Sequence, residues 1–193
     1  MGELILFMVA SLDGFVSGPN GELDWEVRDP AVSAELVPEF LTTVKGLVIG
    51  RGLFRGFAQA WPPMAADPST PKELADFARW LESAPKFVVS STSAAPSWKN
   101  AQVVEVHNDA DATREISALK ARFDGDLVVF GGARCAQTLV RLGLVDEYRL
   151  KVQPVALGAG RPLFRDLQER RNLRLVRSKA YGSGVVAQYY RPA

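Results

Sequence analysis

The fold of this chain is decided by the stretch DLVVFGGARCAQTLVRLGLVDEYRLKVQPVALGAGRPLF, residues Asp126–Phe164. Leu127–Phe130 is apolar without alternation, which is typical of a central strand covered on both faces. Gly131 and Gly132 follow, and apolar residues at spacings of four then predict a helix that ends at Gly143. A strand, a glycine pair and a helix favour an anion site, because a ligand can approach the backbone and meet free N–H groups. A tight turn without a ligand is an equally good interpretation of this pattern.

Composition limits the classes of protein that need to be considered. The chain has 193 residues, 47% apolar and 23% charged, which is ordinary for one globular domain over residues 1–193. A net charge of +1 without a basic block argues against nucleic acid or an anionic membrane as a partner. One cysteine excludes an internal disulfide, no apolar run approaches the ~20 residues that span a bilayer, and no signal peptide is recognisable. We therefore expect a cytoplasmic protein.

Strands and helices alternate along most of the chain. The predicted strands are Leu4–Leu12, Leu47–Ile49, Phe87–Ser90, Val103–Val106, Leu127–Phe130, Val145–Val152, Leu173–Ser178 and Val185–Tyr190. The predicted helices are Ala31–Val44, a helix opened by a capping box at Thr70–Glu73 and ending near Ala84, a helix capped by Asp111, and the one after Gly132. Leu53–Ser69 is predicted to be a loop. In Val145–Val152, Arg149 and Lys151 lie on the face opposite Tyr148 and Leu150. The pattern indicates an α/β domain with a parallel core and an antiparallel C-terminal edge hairpin.

Six short motifs occur in the order in which a known family carries them. They are Ser11-Leu12-Asp13-Gly14, Asp24-Trp25, Ile49-Gly50-Arg51, Val88-Val89-Ser90, Gly131-Gly132-Ala133-Arg134, and Val145-Asp146-Glu147 through Pro154 to Gly160. Through them nearly the whole chain resembles the dihydrofolate-reductase-like superfamily, and within it the proteins similar to the reductase half of the riboflavin-biosynthesis deaminase-reductase. The resemblance implies a three-layer α-β-α fold with a mostly parallel eight-strand sheet and four helices. It also implies a homodimer, and NADPH lying across the strand ends.

The resemblance assigns cofactor roles to matching positions. Gly131 and Gly132 match the pair at the pyrophosphate, commonly joined by a cis peptide, and Arg51 and Arg134 match the arginines near the 2′-phosphate. The other matching positions are Ala10 at the nicotinamide carboxamide, Ser17 and Gly18 in the covering loop, Ser90 and Ser91 beside the phosphate, and Gly50, Gly52, Phe130 and Ala133. Two guanidinium groups suit a dianionic phosphate, which favours NADPH over NADH. Taken singly, each arginine is better explained as a solvated surface residue, and it is the glycine-flanked strand ends and the family motifs beside them that favour the phosphate.

The sequence gives fewer indications of the residues that bind the substrate or supply the proton. Hydride transfer needs positioning and one proton rather than a nucleophile or a metal, and the single His107 and Cys135 cannot form a usual metal set. Candidate proton donors are a bound water or one of three carboxylates that turn, loop and helix-cap roles also explain: Asp13, Asp24 and Asp29. Candidates for a flat wall against a heteroaromatic ring, with core packing as an equal explanation, are Trp25, Phe54 and Trp61.

Two departures from the family bear on the substrate. Leu53 stands where dihydrofolate reductases carry a threonine, and Arg55 is the only cation where riboflavin-pathway reductases carry an arginine-containing segment that binds a ribosyl phosphate. We expect an NADPH-dependent reductase of a small heteroaromatic or carbonyl substrate, of the 5-amino-6-(5-phosphoribosylamino)uracil or pteridine type. Dihydrofolate reduction itself, and a non-catalytic nucleotide-binding module of the same fold, are the alternatives. We expect His107 to lie at the surface and Cys135 to be a packing residue, a lowered thiol pKa being the alternative for Cys135.

Overall fold

A computed structural model describes residues 2–94 and 96–193. The strands of its main sheet are β1 (Leu4–Ser11), β3 (Val44–Gly50), β4 (Lys86–Ser90), β5 (Ala101–Glu105), β6 (Asp126–Phe130), β7 (Glu147–Gln153), β9 (Leu173–Ala180) and β10 (Val186–Pro192). The helices are α1 (Pro30–Thr43), α2 (Arg51–Ala66), α3 (Lys72–Ser83), α4 (Asp109–Arg122) and α5 (Ala133–Arg141). Two short strands, β2 (Phe15–Ser17) and β8 (Arg161–Pro162), form a separate antiparallel ribbon.

The eight strands lie in the order β5-β4-β3-β6-β1-β7-β10-β9. The six strands from β5 to β7 run parallel, and β10 is antiparallel to both of its neighbours. Buried residues of α1, α2 and α3 pack on one face of the sheet, and those of α4 and α5 pack on the other. These layers confirm the predicted three-layer α/β fold, with its parallel core and antiparallel edge hairpin.

The helix α2 corrects the prediction of a loop over Leu53–Ser69 and raises the number of helices from four to five. Phe54 is 3% exposed, and Phe57, Ala58 and Trp61 pack against the same core cluster. These positions have the spacing of one helical face. The glycines and prolines of the segment obscured that periodicity, and tertiary packing outweighs their low helix propensity.

Two predicted helix caps are wrong. α3 begins after Pro71 without a side-chain cap, so Thr70 does not form a capping box. α4 is capped by Asn108, whose side chain accepts a hydrogen bond from the Asp111 N–H at 2.9 Å. Asp111 lies one turn further on, where its carboxylate accepts from the His107 N–H at 3.2 Å.

Candidate functional site

The sheet parts at the carboxyl ends of its central strands. β1 pairs with β6 only as far as Phe7 opposite Phe130, and then continues to Ser11 against β7 alone. β6 meanwhile turns away through Gly131 and Gly132, whose φ angles are +49° and +69°. The side of β1 that faces β6 therefore has no ladder partner beyond Phe7. In open α/β sheets, ligands bind in such a crevice outside the carboxyl ends of the strands.

Two helices begin side by side at this crevice. α2 starts after Gly50 and α5 after Gly132, and neither has a side-chain cap or an acidic residue in its first turn. The two turns pack closely, since a Cβ added to Gly132 would lie 4.0 Å from Cα of Gly50, and one added to Gly50 would lie 3.0 Å from Cβ of Cys135. Both N-termini offer N–H groups and the positive end of a helix dipole in one region, which suits an anion with several charges.

Arg51 extends from the start of α2 to the end of β4. Its guanidinium Nη1 donates to Oγ1 of Thr92 at 2.8 Å and to Oγ of Ser90 at 3.2 Å. The structure thus brings together Arg51 and Ser90 as the sequence predicts, while Ser91 points outward as an exposed residue. Thr92 was missed, although its position in the run Ser90-Ser91-Thr92 directly after a strand was a usable signal.

Arg134 lies in the first turn of α5 and is exposed. Within residues 2–94 and 96–193 its side chain makes no hydrogen bond or ion pair, so its charge is available to a ligand. The two arginines therefore differ: hydroxyl groups hold Arg51 in place, and solvent surrounds Arg134.

The glycine pair differs from the expectation in one respect. No peptide bond among the described residues is cis, so the cis Gly131–Gly132 peptide is wrong here. Positive φ at both positions still requires glycine. Cys135, in the first turn of α5, is a packing residue that lies against the core cluster beneath this helix, and burial raises the pKa of its thiol to about 12.

The loop after β1 is held by Asp13. Its carboxylate accepts hydrogen bonds from Oγ of Ser11 at 2.6 Å and from the N–H groups of Gly158 at 2.8 Å and Leu157 at 3.1 Å. These bonds, the Ser11 hydroxyl first, lower the pKa of Asp13 to about 2. A general acid needs a raised pKa, so the structure argues against Asp13 as the proton donor.

Asp29 is likewise held by hydrogen bonds, whereas Asp24 lies at the surface. Asp29 caps α1 by accepting from the Ala31 N–H at 2.8 Å, and it also accepts from the Ser183 hydroxyl at 2.5 Å. The Ser183 bond, followed by the Ala31 bond, lowers the pKa of Asp29. Asp24 is exposed, and its carboxylate makes no hydrogen bond among the described residues.

The predicted nicotinamide positions lie beside the crevice. Ala10 is 4% exposed and pairs with Val152 of β7, next to the edge of β1 that lacks a ladder partner. Ser17 is buried in β2 and its hydroxyl donates to the Gly18 carbonyl at 3.2 Å. A Cβ on Gly18 would lie 2.2 Å from the Glu22 carboxylate, so this turn is tightly folded against the next segment.

The aromatic wall expected from Trp25, Phe54 and Trp61 is wrong. Phe54 packs on Trp98 at 6.1 Å between ring centroids, and Trp61 packs on Phe77 at 4.7 Å, inside the core between α2 and α3. Trp25 lies outside that cluster, with its indole N–H donating to the Glu22 carbonyl at 3.1 Å.

Three apolar side chains near the point where β1 and β6 part remain partly exposed. Phe7 and Phe130, 5.6 Å apart between ring centroids, and Val9 are only partly buried although they belong to central strands. These three residues were not singled out for the substrate, because a partly open crevice is not visible in an apolar run.

The two remaining candidates lie at the surface. Arg55 is exposed on α2 and has no polar partner within the part of the chain described. His107 is exposed, as predicted, and pairs with Glu105 at 2.7 Å beyond the edge strand β5.

Two kinds of feature are absent from residues 2–94 and 96–193. These residues include no helix with the length and apolar character that crossing a membrane requires. They also include no cluster of three or more histidine, cysteine or acidic side chains arranged to hold a metal ion.

The chain is similar to known proteins in sequence and in fold. An uncharacterized protein of Bacillus subtilis (strain 168), YyaP, is 36% identical over 195 residues, covering 97% of this chain and 94% of YyaP. A putative riboflavin biosynthesis protein from Shewanella sp. PV-4 superimposes with a TM-score of 0.73 at 23% identity, covering 99% of both chains. Dihydrofolate reductase from Enterococcus faecalis, in complex with NADP(H), superimposes with a TM-score of 0.62 at 17% identity, covering 99% of this chain and 96% of that one.

Part of a longer enzyme has the same fold. The diaminohydroxyphosphoribosylaminopyrimidine deaminase/5-amino-6-(5-phosphoribosylamino)uracil reductase of Thermotoga maritima superimposes with a TM-score of 0.67 at 15% identity, covering all of this chain and 57% of that one. The family described as the RibD C-terminal domain matches residues 3–187. The protein therefore belongs to the RibD C-terminal domain family, and its fold is that of the dihydrofolate-reductase-like superfamily.

Proposed function

We propose that the protein is an NADPH-dependent reductase that transfers a hydride to a small heteroaromatic or carbonyl substrate. One observation carries this proposal: two uncapped helix N-termini meet at Gly50 and Gly132 on the parted edge of the sheet, with Arg51 and Arg134 beside them. A pyrophosphate with a nearby 2′-phosphate has the charge and extent that such an edge accommodates. Membership of the RibD C-terminal domain family, and the NADP(H) complex of the reductase with the same fold, support this choice of cofactor.

The residues at the crevice fit this cofactor in separate ways. Arg51 uses one guanidinium nitrogen for Ser90 and Thr92, which leaves its Nε and second terminal nitrogen to donate to a phosphate. The absence of side chains at Gly131 and Gly132 lets a pyrophosphate approach the backbone. The free edge of β1 near Ala10 offers backbone groups to a carboxamide. Bound in this way, the nicotinamide would supply the hydride, and the protein would position it and exclude water.

The substrate we propose is of the 5-amino-6-(5-phosphoribosylamino)uracil or pteridine type. The family membership supports this class, as does the fold shared with the Thermotoga maritima enzyme. Arg55, exposed one turn beyond Arg51 on α2, is the cation proposed for a substrate phosphate. A cytoplasmic location is part of the same proposal.

A homodimer also belongs to the proposal. Leu175 and Val176 on the edge strand β9 are each 50% exposed. Apolar side chains on an open edge strand favour pairing with another chain.

A fluorescence titration of the purified protein with NADPH, and in parallel with NADH, tests the cofactor. We expect NADPH to bind more tightly, and the Arg51→Ala plus Arg134→Ala double variant to lose that preference while remaining folded. Arg170→Ala plus Arg174→Ala removes two exposed arginines elsewhere and is the matched control. Unchanged NADPH affinity in the first double variant would refute the assignment. Turnover with the aminouracil or with dihydrofolate then separates the two substrate classes.

A further inference from the structure

An ion pair lies one strand away from the crevice, on the face of the sheet that α1 covers. Lys151 of β7 is the neighbour of Val9 in β1 and of Ala187 in β10. Ala187 packs against buried residues of α1, which identifies this face. The ammonium group of Lys151 pairs with the Glu26 carboxylate, and their side chains are only 15% and 21% exposed.

Two hydrogen bonds, one to β7 and one to the turn between β9 and β10, hold the segment that follows Glu26. The Val27 N–H donates to Oε1 of Gln153 at 2.9 Å, and Gln153 is fully buried. Two residues further on, Asp29 accepts from the Ser183 hydroxyl in the turn between β9 and β10. The backbone on the C-terminal side of Glu26 is therefore held in position independently of Lys151.

The pair has hydrogen-bonding capacity that the protein does not use. An ammonium group has three N–H donors and a carboxylate has about four acceptor positions. Among residues 2–94 and 96–193, the Lys151 ammonium group donates only to Glu26, and the Glu26 carboxylate accepts only from Lys151. Charged groups removed this far from water lose free energy unless further polar partners are supplied. A ligand that displaces water from this pair has to supply such partners in its place.

An apolar floor lies next to the pair. Phe7, Val9 and Phe130 share its face of the sheet by register, and all three are partly exposed. Val9 directly adjoins Lys151. A flat ring that rests on this floor brings one edge to the ammonium group and the carboxylate together.

We propose that Lys151 and Glu26 bind the edge of a planar heterocycle that carries a carbonyl and an N–H side by side. Lys151 donates to the carbonyl oxygen, Glu26 accepts from the adjacent N–H, and the ring lies on Phe7, Val9 and Phe130. Uracils and pteridinediones both carry such an edge, whereas a ring without the carbonyl and the N–H leaves both charges unmatched. This inference rests on the proposed function, because the crevice at Gly50 and Gly132 is taken to hold the cofactor.

Isothermal titration calorimetry in the presence of NADPH tests the proposal with three rings. The probes are 5,6-diaminouracil, the pteridinedione lumazine, and 2,4-dimethoxypyrimidine, which keeps the pyrimidine ring without the carbonyl and N–H groups. We expect at least one of the first two to bind, and dimethoxypyrimidine to bind about tenfold or more weakly. Lys151→Met and Glu26→Gln should each weaken the binding ring by about tenfold or more, since each removes a hydrogen bond to a charged group.

The matched control is Lys179→Met. Lys179 forms the same kind of ion pair with Glu35 of α1, but those side chains are 51% and 37% exposed and lie outside the crevice. It should leave ring affinity unchanged, and all three variants should keep the NADPH affinity of the unmodified protein. The proposal is overturned if neither lactam ring binds, if dimethoxypyrimidine binds equally well, or if Lys151→Met and Glu26→Gln bind the ring normally. If the unmodified protein does not bind NADPH, it is the proposed function that is refuted.

Discussion

Replacing Arg51 by methionine should remove the preference for NADPH over NADH. In the structure one terminal nitrogen of Arg51 is held by Ser90 and Thr92, and its two other nitrogens remain for a phosphate. Two charge-assisted hydrogen bonds contribute about 3–6 kcal/mol in a well-shielded site. Because Arg51 is only half-buried, solvent screening reduces this to about 2–3 kcal/mol. The dissociation constant of NADPH should therefore rise roughly 30- to 150-fold.

NADH has no 2′-phosphate, so its dissociation constant should change by less than about threefold. Fluorescence titration of both nucleotides measures this difference directly. Arg55→Met removes the same charge one turn along α2 and should leave the NADPH affinity unchanged. Equal losses for NADPH and NADH would show that Arg51 acts on the fold or on the pyrophosphate, and the reasoning from its hydroxyl contacts would be refuted.

Three further outcomes follow from the packing and charges. Phe54→Ala should lower the free energy of unfolding by about 3–5 kcal/mol, since its ring is in the core. Trp25→Ala should lower it by less than about 1 kcal/mol. Urea unfolding that ranks the two variants the other way would contradict the assignment of Phe54 to the core. The folded-state pKa of Asp13 is lowered from 3.8 to about 2, so its stabilising contribution is present above pH 3.8 and is lost as the pH falls through about 2. The difference in urea midpoint between the unmodified protein and Asp13→Asn should shrink over that interval, and a constant difference would exclude this role. Leu175→Asp should convert a dimer into a monomer in light scattering after size-exclusion chromatography, and an unchanged mass would remove β9 from the proposed interface.

The cofactor end was predictable from sequence because its determinants are local. Gly131, Gly132 and Arg134 follow directly on an apolar strand, and Arg51 follows another, so parallel strand order alone brings them to one edge. The helix α2 was not predictable in the same way, because its glycines and prolines conceal a periodic apolar face that only the neighbouring helix α3 completes.

The residues proposed for the substrate could not be identified from the sequence. A strand pattern does not show which face of the sheet is covered by a helix or a loop. The alternation in Val145–Val152 is typical of a strand with one solvated face, yet Arg149 on the polar side is 9% exposed. Glu147 pairs with it at 2.6 Å, and Tyr189 of β10 lies beside it. Lys151 was therefore overlooked because α1 and the loop that carries Glu26 cover a face that the sequence indicates is open.

The position of β1 in the sheet affects the order in which the protein can fold. This strand is the first in sequence, but its two neighbours are β6 and β7, so Leu4 pairs with Leu127 and Ile5 with Glu147. During synthesis the apolar segment Leu4–Ser11 has to wait until more than half of the chain has left the ribosome. Contacts this distant in sequence make folding slow, and they leave an aggregation-prone segment exposed meanwhile. The central strand of the finished molecule is thus the first to be made and among the last to be paired.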